Sequence, residues 1–107
     1  MMRWKKVTPQ ALCDALLRDV YCALSACVCL DAEGEVLSLR LFDTAFCKRL
    51  PEMMPDTREI WLISSHPEGE PTDDDRHWAA SLREASGGAT LRTFLTCEDE
   101  GCREIAY

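Results

Sequence analysis

The sequence predicts a single α/β domain, a mixed sheet of about five strands with helices packed on it, with α+β as the alternative reading. Three observations carry this. The runs 20–30 and 59–65 alternate in strand register yet are apolar on both sides, as in strands covered from two faces. A stretch of helical period, 73–86, lies between strand-like runs at 59–65 and 89–97, which is the pattern of a βαβ unit. The 107 residues leave room for one hydrophobic core and no second domain.

The elements follow in order. Thr8-Pro9 reads as an N-cap with proline at the first helical position, and Leu12, Leu16 and Val20 recur on one face of the helix it opens. From Tyr21 the period changes to two, and Cys22, Leu24, Ala26, Val28 and Leu30 share one face of a strand. Asp31-Ala32-Glu33-Gly34 is a turn, with Gly34 at the position that suits a positive φ. Val36 to Phe42 returns as the second arm of a hairpin, Leu37, Leu39 and Leu41 on one side and Ser38 and Arg40 on the other.

Asp43 or Thr44 caps a short helix through Leu50, which Pro51 is expected to end. Glu59 to Ser65 is the next strand, followed by a polar loop from His66 to Thr72. Thr72 to Asp75 matches a capping box, and Trp78, Leu82 and Ala85 form the apolar stripe of the helix it starts. Gly87-Gly88 ends that helix. Ala89 to Cys97 is a strand, Glu98-Asp99-Glu100-Gly101 turns it, and Arg103 to Tyr107 pairs back at the edge. The expected order is therefore α-β-β-α-β-α-β-β, with helices on both faces and residues 1–7 as a basic, mobile arm.

Composition narrows the function. With 47% hydrophobic and 29% charged residues the chain is expected to be globular rather than disordered. Its longest apolar stretch, Val20 to Leu30, falls well short of the ~20 residues a spanning helix needs, so no membrane is expected. The basic start leads into a helix cap rather than an apolar signal core, which points to the cytoplasm. Seven cysteines would suggest a disulfide framework in a secreted chain; here most are expected to be reduced packing residues.

The formal charge of −7 disfavours direct nucleic-acid binding and favours a basic protein partner. The expected function is thus a small acidic cytoplasmic interaction domain of inhibitor, immunity or adaptor type. In that role it could imitate nucleic-acid charge to block a nucleic-acid-binding protein. The docking residues would be Glu68, Glu70, Asp73, Asp74 and Asp75, then Glu98, Asp99 and Glu100, with Trp4 in the basic arm as a contact anchor.

Two alternatives belong to other classes. Ligands of open α/β sheets bind beyond the carboxyl ends of parallel strands, where Asp43, His66 and Cys97 would share a rim if their strands are parallel neighbours. A cysteine, a histidine and a carboxylate there would suit a small enzyme or a nucleotide-binding domain. Alternatively, Cys97, Cys102 and His66 could hold zinc, since only the Cys97/Cys102 spacing approaches a metal knuckle. No cofactor is expected, and the absence of a recognisable catalytic motif leans away from an enzyme.

Overall fold

The computed structural model describes residues 24–41, 44–66, 69–97 and 101–107. The expected first helix, the arm with Trp4, Asp43, Glu68 and the run Glu98-Asp99-Glu100 lie outside the described residues. The described elements are β1 (Leu24–Leu30), β2 (Val36–Leu41), α1 (Thr44–Met53), β3 (Glu59–Ser65), α2 (Asp73–Ala85), β4 (Thr90–Cys97) and β5 (Gly101–Glu104). They build a five-stranded sheet in the order β2-β1-β3-β4-β5. Only β3 and β4 pair in parallel; every other neighbouring pair is antiparallel, so the fold is a mixed-sheet α/β domain.

The two-sided apolar strands sit where that pattern demands. On one face Cys27, Cys29, Ile60 and Leu62 pack under Leu50 of α1 and Ala79 and Leu82 of α2. On the other, Val28, Leu30, Trp61, Ile63 and Phe94 are all 4% exposed or less, with Trp61 and Phe94 meeting edge to face at 5.9 Å. Each large side chain sealed this way stabilises the fold by roughly 1.5–3 kcal/mol. Both described helices lie on the first face, and they touch each other there. The five positions on the second face are buried just as deeply, but at its β2 edge Leu39 and Leu41 are 39% and 60% exposed. None of the described helices is long and apolar enough to cross a membrane.

Three local expectations change. α1 does not stop at Pro51 but runs through it to Met53. So close to a helix end, proline removes only its own donor, and the Met54 amide still bonds the Leu50 carbonyl at 2.8 Å. In the hairpin, Cys29 pairs with Ser38 but Leu30 pairs with Val36, leaving Leu37 as the extra residue of a β-bulge. Leu37 therefore joins the helix-side core, while Leu39 and Leu41 stay beside Val28 and Ala26 on the opposite face. The last strand spans 101–104 rather than 103–107, because Gly101, at φ 71°, already pairs with Cys97.

This topology positions the candidate sites. β2, β3 and β4 point the same way, yet β1 lies between β2 and β3, so the three are not all neighbours. Only β3 and β4 bring their carboxyl ends side by side, and the start of α2 returns to that edge.

Candidate functional site at the carboxyl ends of β3 and β4

The site grows from a helix cap. Thr72 has the extended backbone of an N-cap, its hydroxyl accepts the Asp75 amide at 3.3 Å, and the Asp75 carboxylate accepts the Thr72 amide at 2.8 Å. This is the expected capping box. Asp75, however, is fully buried and does more than cap. Its Oδ1 accepts the Ser64 hydroxyl at 2.9 Å, and its Oδ2 lies 2.6 Å from His66 Nε2.

The donors can be assigned from the network. Ser64 gives its proton to Asp75, so the Ser25 hydroxyl, 3.2 Å behind it, donates to Ser64. A carboxylate oxygen that already takes the Thr72 N–H is an acceptor, so His66 Nε2 is the donor. In the neutral ring this leaves Nδ1 as the nitrogen with a lone pair. The His66 side chain is 11% exposed, enough to face the rim without being bathed in water.

Cys97 stands next to this pair. Ser65 pairs with Thr96, and the His66 amide donates to the Thr96 carbonyl at 3.1 Å. His66 and Cys97 thus occupy adjacent positions of the same face, on strands about 4.8 Å apart. Gly69 closes over the thiol: a Cβ at that residue would meet Cys97 Sγ at 3.2 Å. The Gly69 amide donates to the His66 carbonyl at 3.1 Å, while Arg103 Nη2 donates to the Gly69 carbonyl at 2.6 Å. Tyr107 reaches the same region from beyond β5. Burial pushes its phenol up to about 12, the nearby Asp75 charge adds to that, and Arg76 and Arg103 pull the other way.

The predicted residues therefore separate. His66 and Cys97 come together at the rim, while Asp43, the third member of that set, lies outside the described residues. The carboxylate that the structure places beside His66 is Asp75. That overturns its role as a docking residue, because a fully buried, triply bonded carboxylate offers nothing to a partner. Glu70, Asp73 and Asp74 are exposed, and among the described residues Asp73 makes only a surface contact with Arg76 at 3.3 Å.

The zinc set fails on register. Cys102 pairs with Thr96 and joins the Phe94 face, whereas Cys97 belongs to the face of His66. One ion cannot take both sulfurs across the sheet, and no cluster of potential metal ligands occurs among the described residues. Cys27, Cys29, Cys97 and Cys102 form no disulfide among the described residues. Cys29 lies below the ordinary thiol range because Cys27 hydrogen-bonds it, against the opposing effect of burial, but both sulfurs are sealed in the core.

The expected site set omits Ser64, Gly69 and Tyr107. Ser64 left a signal: it is a hydroxyl at an inward position of a strand that is otherwise apolar on that side, as Ser25 is in β1. The opposite end of β3 and β4 carries a separate cleft of about 340 Å³, between the ends of α1 and α2. The sequence matches no known protein family and no curated protein.

Proposed function

We propose that this chain is a small catalytic domain working at the carboxyl-end rim of β3 and β4, with His66 as its proton-transfer group and the Cys97 thiol as the adjacent nucleophile. The observation that carries this reading is the 2.6 Å bond between His66 and a fully buried Asp75. A helix cap needs only the Thr72 contact and is normally satisfied at the surface. Burying a carboxylate costs several kcal/mol unless it is fully bonded, and this one is bonded to the one histidine of the rim.

The chemistry divides among named groups. Asp75 holds the imidazole in one tautomer and offsets the charge that develops when His66 takes a proton. Nδ1 would accept that proton from the Cys97 thiol or from a bound substrate, and the thiolate is the reactive form of cysteine. Gly69 lies against the sulfur, so a substrate reaches it only when Gly69 moves aside. A reducing compartment such as the cytoplasm would keep the thiol available.

Site-resolved alkylation with iodoacetamide tests the reading. Cys97 in His66→Gln should react about tenfold more slowly than in the wild-type chain, since the base that draws off its proton is gone. Equal rates in the two proteins would remove His66 and Cys97 from a common site.

A second reading rests on a different observation: Glu70, Asp73 and Asp74 stand in solvent around the start of α2. Under it the chain docks a basic protein through this edge, as an inhibitor or adaptor does. Reversing Asp73 and Asp74 to Lys should abolish capture of a lysine-rich partner at low salt. Unaltered capture would dispose of the acidic edge.

A further inference from the structure

The cleft at the amino ends of β3 and β4 has features that folding alone does not require. Leu50, Met54 and Ala89 supply its apolar lining, and the exposed Gly87, Gly88 and Arg58 also line it. Its volume of about 340 Å³ falls at the lower end of the range for small-molecule pockets. Gly87 is explained by its φ of 70°, the left-handed conformation that ends α2. Gly88 has no such need. Its φ is not in the left-handed range, and a Cβ there would meet no atom within 4 Å. Gly88 lines the cleft, where a side chain would project into open space.

Arg58 supplies the polar specificity. Its Nη1 donates to the carbonyls of Pro55 at 3.3 Å and Thr57 at 3.2 Å, and it has no carboxylate partner among the described residues. Those two bonds hold the guanidinium at the lip while leaving Nε and Nη2 for another acceptor. A planar fork of two N–H donors matches a carboxylate. We infer that this cleft binds a small monocarboxylate with an apolar body, the acid group on Arg58 and the body against Leu50, Met54 and Ala89. The inference is independent of the rim, which lies at the other end of the same strands.

Hexanoate is the probe. Titrated into the full chain, it should give saturable shifts at the amides of Arg58, Gly88 and Ala89 and at the Met54 methyl, with a dissociation constant in the millimolar range expected of so small a ligand. Hexanol should bind about tenfold more weakly, as should hexanoate to Arg58→Gln, because each lacks half of a charge-assisted bond. Gly88→Val, placed in open space, should keep the fold and block the cleft. Shifts that do not saturate, that fall elsewhere, or that appear equally with hexanol or hexylamine would overturn the assignment.

Discussion

The two ends of the parallel pair β3–β4 are built from the same parts and finished in opposite ways. Each receives one terminus of α2, and each has a glycine in the left-handed region, Gly69 at φ 74° and Gly87 at φ 70°. At the carboxyl end the chain closes down: Asp75 is sealed, and Gly69 lies against the Cys97 sulfur. At the amino end Gly87 and Gly88 face empty space above a cleft. Two glycines of nearly the same positive φ thus serve tight packing at one end and open volume at the other, and the surrounding side chains decide which.

The largest effect should come from the closed end. Asp75→Ala strands the Ser64 hydroxyl, the Thr72 amide and His66 Nε2 together, and should destabilise the fold by about 3 kcal/mol. Asp74→Ala, one residue earlier on the exposed side, should change stability by less than about 0.5 kcal/mol. Urea unfolding of the two variants measures the difference directly. Similar midpoints would mean that Asp75 is not an internal anchor of the fold.

The glycines sharpen the comparison. Both substitutions by alanine force a side chain into positive φ, at about 1 kcal/mol each. Gly69→Ala must also push its Cβ against Cys97 Sγ, for a total of about 2 kcal/mol, whereas Gly87→Ala meets nothing. Shortening the neighbour isolates that extra part. In a Cys97→Ala background the Gly69→Ala penalty should fall to that of Gly87→Ala, and a double-mutant cycle by chemical denaturation reads it. An unchanged penalty would show that the thiol is not what Gly69 covers.

This contrast also marks what the sequence could and could not say. The two-sided strands, the capping box and the βαβ order were legible because period and turn chemistry are local properties. Asp73, Asp74 and Asp75 look alike in a string, and the helix rotation that turns only Asp75 inward matters once β3 supplies Ser64 and His66 behind it. Strand order was not readable at all. Placing β1 between β2 and β3 is a non-local pairing, and it separates the carboxyl end of β2 from the other two. The bulge at Leu37 shows the limit within one hairpin: a single extra residue reverses its face while the alternating pattern on paper stays intact.

The smallest effect probes how closed the closed end is. The Tyr107 hydroxyl is buried without a hydrogen-bond partner among the described residues, and its phenol is pushed up to about 12, first by burial and then by the Asp75 charge. In the unfolded chain a tyrosine ionises near about 10. A raised folded value means that the native state keeps its proton while the unfolded state loses one. Tyr107 therefore has no effect on pH dependence below about 10, and its contribution is lost as pH rises toward the folded value. The loss by pH 10.5 should stay under about 1 kcal/mol, and Tyr107→Phe should abolish it while leaving stability at pH 7 unchanged or slightly higher, since no hydrogen bond is sacrificed. Phenolate absorbance in a Tyr21→Phe background follows the ionisation itself. A Tyr107 that titrated like a free tyrosine would mean that water already reaches the hydroxyl. The carboxyl end would then be as open as the amino end, and the contrast between them would rest on Asp75 and Gly69 alone.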